Sequence, residues 1–302
     1  MKFLIIQENP DNKEKSKFRE CFSLQRALIR HKQKCNVWGL GHKNYLNKPN
    51  FEDYDVIINT ENYDSGWVPN LANIPAYKIL WAIDSHVHIG GIRYYNQVYK
   101  KGKYNLMLQA TRKYVNANWF SKLVSDGFNI NTLWFPNSFN EELIGKRNVK
   151  KIADIGFCGK IVNRQDYLDF LKSNFNFKQD LSVFGENMVK SINSYRMHFN
   201  KNISCDINYR NFETIGCGVP LVTSFHKDYA LLGLIDSKNC ITYKNKRELK
   251  RKINFYLKNP EKRIKIGKEG YNLSKKNTYY SRVNILLEYL KKIFSTNEHT
   301  IF

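Results

Sequence analysis

YRNFETIGCGVPLVTS, residues 209–224, places a single carboxylate, Glu213, inside a run that otherwise looks built for burial. We predict a short helix that begins at Asn211 as the N-cap, carries Glu213 in its first turn and ends at two glycines. The apolar residues 221–223 after it are typical of a buried strand. Glu213 either complements the helix dipole or holds a ligand delivered to the helix N-terminus. Other parts of the sequence are needed to distinguish these two roles of Glu213.

The same alternation of strands and helices extends over the whole chain. Apolar runs typical of buried strands lie at residues 2–6, 36–38, 55–59, 76–83, 106–109, 114–116, 132–135, 154–158, 181–184, 203–207 and 221–223. Helical spacing occurs at residues 17–31, 119–126, 165–173, 188–194, 246–257, 260–276 and 280–294. Strands that alternate with crossover helices predict an α/β protein with parallel sheets covered on both faces.

The length of the chain favours two domains. A chain of 302 residues suits two cores of about 150 residues each. The polar segment NSFNEELIGKRNVKK, residues 137–151, is the predicted linker. We therefore expect two Rossmann-like domains that face each other across a cleft, residues 1–145 and 146–302, with the last helix able to pack back on the first domain.

Composition excludes several classes of protein. A hydrophobic content of 42% with 14% aromatic residues excludes disorder, and no apolar run is long enough to cross a bilayer. The opening residues MKFLIIQENP predict a first strand instead of a signal peptide. The six cysteines show no CxxC spacing, which indicates reduced thiols in a cytoplasmic protein.

The formal net charge of +22 has two interpretations. It indicates attraction to a polyanion such as nucleic acid, anionic lipid or an anionic glycan. Alternatively, an AT-rich genome adds lysines without a function. We interpret the basic run 244–276 as solvated helix faces. The basic residues beside the tyrosines of residues 94–104 are the candidates for binding an acceptor: Arg93, Lys100, Lys101 and Lys103.

Three predicted strand ends in the second half carry residues suited to a nucleotide. Open α/β sheets bind ligands beyond the carboxyl ends of their strands. The candidates there are Gly159, Lys160, Arg164, Tyr209, Arg210 and Glu213. The three cations are suited to a diphosphate. A nucleotide explains Glu213 better than the dipole does, because a carboxylate accepts two hydrogen bonds from a ribose diol.

The most reactive side chains of the first half lie in WAIDSHVHIGG, residues 81–91. Asp84, His86 and His88 alternate as on one face of a strand, and such a trio is able to bind a metal. The alternative is a strand end whose polar residues bind substrate and act on an acceptor hydroxyl. We favour the second interpretation because no fourth ligand is evident, and we therefore predict no metal site.

The ordered elements of the second half resemble a known family. They are G-K…R at residues 159–164, DINYRNFETIGCGVPLVTS at residues 206–224, and a tail that runs from LIDSKNC to TYYSR. Together they resemble the C-terminal domain of glycosyltransferases with the glycosyltransferase-B fold, closest to the CgeB-like spore-maturation branch and the glycosyltransferase family 4-like group. The sequence departs from the wider superfamily at Cys205, where many relatives have a glutamate, and at residues 8–11, which replace a Gly-Gly turn.

The resemblance implies a function for the whole chain. It implies a metal-independent, retaining glycosyltransferase that takes a UDP- or GDP-sugar as its donor and needs no other cofactor. Glu213 would hold the donor ribose, and Lys160, Arg164 and Arg210 the diphosphate. The acceptor is either a glycan or cell-surface polymer, or DNA that carries hydroxymethylated bases, as in phage DNA glucosylation. A non-catalytic protein that keeps the fold and binds nucleic acid or another polyanion is the alternative.

Overall fold

The computed structural model describes residues 1–9, 16–85, 87, 91–115 and 130–298. The contacts divide the chain into two compact units. The first consists of Met1–Pro136 and Tyr279–Phe302, and the second of Asn137–Thr278. Residues 137–145, which the sequence assigned to the first domain, therefore lie in the second unit.

The first unit contains a six-stranded parallel sheet in the order β2-β1-β3-β4-β5-β6. Its strands are β1 (Lys2–Ile6), β2 (Lys34–Trp38), β3 (Val56–Thr60), β4 (Tyr77–Ala82), β5 (Leu106–Gln109) and β6 (Asn131–Trp134). Its described α-helices are α1 (Glu20–Arg30), α2 (Gly91–Gly102) and α8 (Tyr279–Glu298). Every residue of β3 is buried, as expected of a central strand in a sheet covered on both faces.

The last helix belongs to the first unit. The ring of His31, just after α1, stacks on Tyr280 with 3.9 Å between centroids. Farther along α8, Phe294 meets the edge of Tyr77. Aromatic contacts at both ends of α8 therefore attach it to the six-stranded sheet and to α1.

The second unit contains a five-stranded parallel sheet in the order β11-β10-β9-β7-β8. Its strands are β7 (Ile155–Gly159), β8 (Phe177–Leu181), β9 (His198–Asn200), β10 (Leu221–Ser224) and β11 (Ile241–Tyr243). Its helices are α3 (Gln165–Asn174), α4 (Gly185–Ser194), α5 (Tyr209–Gly216), α6 (Lys246–Lys258) and α7 (Pro260–Ser274). Phe157, Phe199 and Tyr243 belong to one buried cluster that crosses this sheet.

Several elements differ from the sequence-based prediction. The strands expected at residues 181–184 and 203–207 are β8, Phe177–Leu181, and β9, His198–Asn200. A strand was expected at residues 114–116, but Tyr114 is the last residue of a 3₁₀ turn, Arg112–Tyr114. The helix expected at residues 119–126 lies outside the described residues.

The predicted linker is packed at its beginning. Asn137, Ser138 and Phe139 are all buried. A Cβ added to Gly216 would lie 2.6 Å from the Phe139 ring, so the glycine at the end of α5 lets that ring approach. Residues 137–139 are thus part of the second unit's core, which the polar sequence of the segment did not indicate.

No helix among the described residues has both the length and the apolar character needed to cross a membrane.

Candidate functional site

A cavity of about 260 Å³ opens at the carboxyl edge of the second sheet. It lies beyond β7 and β8, beside the beginning of α5. Five of the six predicted donor residues line it: Gly159, Lys160, Arg164, Tyr209 and Arg210. Val183, Phe184 and Ile203 add apolar wall, so the cavity joins cationic groups to a surface suited to a flat ring.

Arg210 is the best-anchored cation of the cavity. Its Nε donates to the carbonyl oxygen of Cys158 at 2.7 Å. Its Nη1 donates to the Glu213 carboxylate, and both side chains are largely buried. Burial alone would lower the pKa of Arg210, but the adjacent Glu213 charge more than offsets this and raises that pKa. The guanidinium is therefore permanently charged and fixed at the cavity wall.

Glu213, the sixth donor candidate, lies one turn deeper in the helix than predicted. The N-cap is Asn208, whose Oδ1 accepts a hydrogen bond from the Arg210 amide at 3.1 Å. Asn211 is fully buried within α5 and is not the cap. A cap three residues earlier moves Glu213 out of the first turn, so the helix dipole does not explain its position. Its observed partner is Arg210.

A closed ring of hydrogen bonds holds Arg210 in place. The Cys158 amide donates to Nε2 of His198 at 3.1 Å, so the hydrogen of that ring is on Nδ1. Nδ1 then donates to the Thr214 hydroxyl at 2.6 Å, which donates to the Arg210 carbonyl oxygen at 2.5 Å. The Arg210 side chain returns to the Cys158 carbonyl and closes the ring. The end of β7, β9 and α5 are thereby fixed to one another.

His198 is fully buried and neutral. Burial, followed by the charge of Arg210, lowers its pKa to about 3. A neutral imidazole with one defined tautomer is what the ring of hydrogen bonds requires, because Nε2 must accept while Nδ1 donates.

The side chains of Arg164 and Lys160 differ in their hydrogen bonding and exposure. Arg164 donates through Nε to the Lys201 carbonyl at 2.8 Å and through Nη1 to the Lys160 carbonyl at 3.0 Å. Burial lowers the pKa of Arg164. The Lys160 side chain is exposed at the cavity. Arg164 thus shapes the loop after β7, whereas Lys160 is able to reach a ligand.

A buried amide network supports the loop before α5. Asn200, at the end of β9, donates to Asn202, Asn211 and Thr223 at 3.2 Å each. The Asn211 side-chain oxygen also accepts from Thr223 at 3.0 Å and from Tyr229 at 2.9 Å. β9, α5 and β10 therefore share polar contacts where an ordinary core would be apolar.

In the first unit, a buried carboxylate organises the segment that contains Asp84. Glu61 directly follows β3, and its Oε2 accepts from the amides of Ile83 at 2.7 Å and Asp84 at 3.0 Å. The Tyr95 hydroxyl donates to the same oxygen at 2.7 Å. Burial, and then the charge of Asp84, raises the pKa of Glu61 to about 7. Asp84 itself is exposed just beyond β4.

The structure describes only part of the predicted Asp-His-His trio. His86 and His88 lie outside the described residues. Among the described residues, no group of three His, Cys, Asp or Glu side chains is arranged to hold a metal ion.

The predicted acceptor-binding cations have different environments. Lys101 is committed elsewhere: its ammonium donates to the carbonyl oxygens of Ser65 at 2.8 Å, Gly66 at 3.0 Å and Val68 at 3.2 Å. Its three donors are satisfied by the backbone, so the assignment of Lys101 to an acceptor is corrected to a loop clamp. Lys100 and Lys103 are exposed. Arg93 lies on α2, and only its backbone is described.

Sequence reasoning missed Glu61 and His198. Both are polar residues buried by partners far away along the chain, which a local pattern does not reveal. Glu61 had one usable signal, because an acid directly after the buried run DVIIN stands at the carboxyl end of a strand. His198 had none.

Comparison with known proteins places the fold in a class. Two units with parallel sheets and crossover helices define the glycosyltransferase-B fold, and solved structures of that class superpose over almost the whole chain. The β-glucosyltransferase of phage T4, solved with its UDP-glucose substrate, gives a TM-score of 0.69 at 14% identity, covering 96% of this chain and 99% of its own. Sucrose-phosphate synthase from Thermosynechococcus elongatus gives 0.66 at 11% identity, covering 98% and 100%.

A third solved structure is an α-glucosyltransferase in complex with UDP-glucose and DNA containing an abasic site. It gives a TM-score of 0.65 at 10% identity, covering 92% of this chain and 96% of its own. Residues 139–288 match the family model described as glycosyl transferase-like. None of the curated proteins matches the sequence. The second unit thus matches a glycosyl transferase-like family model, and the chain has the glycosyltransferase-B fold that the resemblance implied.

Proposed function

We propose that the chain transfers a sugar from a nucleotide-sugar to an acceptor hydroxyl. One observation carries the proposal: the cavity lined by Lys160, Tyr209 and Arg210 lies at the carboxyl edge of the domain that matches the glycosyltransferase family model. UDP-glucose is bound in solved structures of the same fold. The donor proposed is therefore a UDP-sugar, with a GDP-sugar as the alternative.

The roles of the residues follow from their charge and position. Arg210 and Lys160 neutralise the diphosphate, which is the leaving group, while Glu213 holds the ribose hydroxyls with the oxygen that Arg210 leaves free. The bond between the anomeric carbon and the diphosphate oxygen breaks, and a bond to the acceptor oxygen forms. Because retention of configuration needs attack on the face that the diphosphate leaves, the departing diphosphate oxygen takes the proton of the acceptor hydroxyl. Asp84, exposed beyond β4, is the residue proposed to orient that hydroxyl.

DNA that carries base hydroxyl groups is the acceptor we propose. The net charge of +22 favours a polyanionic acceptor. Two structures of the same fold are DNA-related, a DNA-modifying β-glucosyltransferase and an α-glucosyltransferase bound to DNA. A modified base has to leave the stack before its hydroxyl reaches a donor.

A transfer assay tests this function. Radiolabelled UDP-glucose and GDP-mannose are incubated with duplexes that contain 5-hydroxymethylcytosine or plain cytosine, and with a panel of oligosaccharides. We expect label in the hydroxymethylated duplex alone, and a sugar whose anomeric configuration, measured by NMR, is retained. Label in an oligosaccharide would show that the acceptor is a glycan instead of DNA. A melting temperature unaffected by either nucleoside diphosphate would favour a non-catalytic binding protein.

Metal independence is a separate prediction. Arg210 and Lys160 supply positive charge at the proposed diphosphate site, so a metal ion is not needed to neutralise the leaving group. We expect the rate of nucleoside diphosphate release to be unchanged by an excess of EDTA. Loss of activity on chelation, restored by added divalent metal, would contradict this and would favour the metal interpretation of Asp84, His86 and His88.

The six cysteines are free thiols, which supports a reducing compartment, and we propose a cytoplasmic location.

A further inference from the structure

A large share of the positive charge of the chain lies in one continuous segment. Residues 244–276, which include α6 and α7, contain thirteen Lys and Arg and three Glu. This is a net charge of +10 in 33 residues, out of +22 for the whole chain.

Lysine enrichment by the genome does not produce this distribution. The helices α1, α3, α4, α5 and α8 each carry a net charge between −1 and +1, α2 carries +3, α6 +5 and α7 +2. The remaining +3 of residues 244–276 come from Lys244, Lys275 and Lys276, which lie outside the two helices. A compositional bias would raise the charge of all exposed helices alike, because they are translated from the same genome. The charge on α6 exceeds that of every other described helix, so α6 and the exposed lysines of α7 that follow it call for an explanation beyond composition.

Several of the basic side chains are exposed and form no ion pair within the described part of the chain. Arg247, Lys250 and Lys258 recur on α6 at the spacing of a single helix face. Lys262, Lys265 and Lys268 are exposed on α7. Among the described residues, no carboxylate lies within ion-pair distance of these six cations, which we call the basic face. The six charges are therefore available to an anionic ligand.

A groove runs beside the basic face. It has a volume of about 440 Å³ and is lined by Lys238, Lys262 and Lys265, with Tyr256 at its wall and Glu269 as its acidic member. The ammonium of Lys262 lies 4.9 Å from the centre of the Phe255 ring, which joins the two helices at the surface. The basic face is thus able to contact several phosphates along a nucleic-acid backbone instead of a single one.

We propose that the basic face binds the phosphate backbone of duplex DNA. Anionic lipid is the other polyanion that such a face attracts, but insertion into a membrane needs an apolar surface. The exposed large apolar residues of the two helices are Phe255 and Ile264, and both lie among cations. Repeated unpaired cations along about 20 Å of helix suit a backbone of regularly spaced phosphates better.

This inference deepens the proposed acceptor. It rests on the proposed function for the biological purpose of DNA binding, whereas the binding itself is argued from the basic face alone.

The test compares two charge-matched quadruple variants with the wild type. One replaces Arg247, Lys250, Lys258 and Lys265 with glutamate. The control replaces Lys172, Lys190, Lys291 and Lys292, which are exposed on other helices. Anisotropy of a labelled duplex of random sequence, about 20 base pairs long, is measured between roughly 50 and 200 mM salt.

We expect the wild type and the control to lose affinity steeply with salt, about a thousandfold over this range for six phosphate contacts. The basic-face variant should bind at least about tenfold more weakly, and its slope of log K against log salt should be shallower by roughly 0.9 for each phosphate that is no longer neutralised. Equal weakening in both variants would overturn the proposal. So would binding of the wild type to phosphatidylserine vesicles but not to the duplex.

A parallel measurement separates this proposal from the proposed function. The melting temperature of each variant is recorded with and without UDP. A UDP response that persists in the basic-face variant while DNA binding is abolished supports both proposals. Absence of any UDP response in the wild type, with DNA binding that still depends on the basic face, would refute the transferase and leave the DNA-binding face standing.

Discussion

Glu213 pairs with Arg210, and this pair changes how the residue should be tested. Both side chains are largely buried, at 12% and 18% exposure. Replacing Glu213 with alanine leaves a buried guanidinium without its counterion, which costs about 3 kcal/mol in stability. A loss of donor binding in that variant would therefore be mixed with a loss of folding.

Glutamine is the cleaner substitution at this position, because it keeps an oxygen for Arg210. We expect Glu213→Gln to retain most of the wild-type stability and to bind the nucleotide-sugar about tenfold more weakly, through the loss of charge at the ribose hydroxyls. Calorimetric titration of the folded variant measures this. Unchanged donor affinity would remove Glu213 from the ribose site.

His198 gives the second prediction at the scale of single residues. Its pKa is about 3 in the folded protein and about 6.5 when unfolded, so the unfolded chain binds the proton first. The stability that this neutral ring provides is complete above about pH 6.5 and falls by up to about 1.4 kcal/mol per pH unit as the pH decreases towards about 3.

The variant His198→Phe should be less stable than the wild type by about 1–3 kcal/mol at roughly pH 7.5, because the Cys158 amide loses its acceptor. The difference should narrow at about pH 5.5, since the variant has no proton to gain at this site. Urea unfolding at the two pH values measures the difference. A difference that is the same at both would show that His198 does not titrate as described.

At the scale of elements, the two misplaced strands of the second sheet have physical causes. β8 is an edge strand of sequence FKQDL that is partly exposed along its length, so it lacks the apolar run by which strands are recognised. β9 is fully buried, but two of its three residues are His198 and Asn200. Their burial is compensated by hydrogen bonds to distant elements, which hydrophobicity cannot reveal.

Most of the other strands and helices were predicted within a few residues of their observed bounds, but β11 was not among the predicted strands. β1 and β5 lie at residues 2–6 and 106–109, as their apolar runs indicated. The five donor candidates that line the cavity were also predictable, because the carboxyl ends of parallel strands meet at one edge. The ring through His198 was not, since it depends on which strands are neighbours.

The junction between β9, α5 and β10 depends on Asn211. We expect Asn211→Ala to lower the free energy of unfolding by about 3 kcal/mol, because it removes partners from Asn200, Asn202 and Tyr229 at once. The control is Asn254→Ala on the exposed side of α6, which should change stability by less than about 0.5 kcal/mol. Equal denaturation midpoints for the two variants would show that the amide network does not hold the junction.

At the scale of the whole molecule, the fold and the charge carry different information. The fold follows from the strand–helix alternation, and solved structures of the same fold cover more than nine-tenths of the chain. Identities of 10–14% to those structures leave the substrates open. The total charge left them open as well. The sequence shows the basic run 244–276, but only the structure shows that six of its cations are exposed and without ion pairs to the described residues, and this is what favours a polyanionic partner.

The central claim is that the second unit binds a nucleoside diphosphate through Arg210. Calorimetric titration with UDP, GDP and the matching nucleosides tests it on the wild type, on Arg210→Ala and on the control Arg196→Ala, whose arginine is half-exposed and paired with Asp154. Because Arg210→Ala leaves the buried Glu213 carboxylate without its counterion, the titration is done at a temperature at which the melting curve shows each variant to be folded. We predict that one diphosphate binds the wild type and the control, and that Arg210→Ala weakens it about 10- to 150-fold while nucleoside affinity stays within about twofold. Binding of neither diphosphate to the wild type, or equal weakening of diphosphate and nucleoside in Arg210→Ala, would contradict the account.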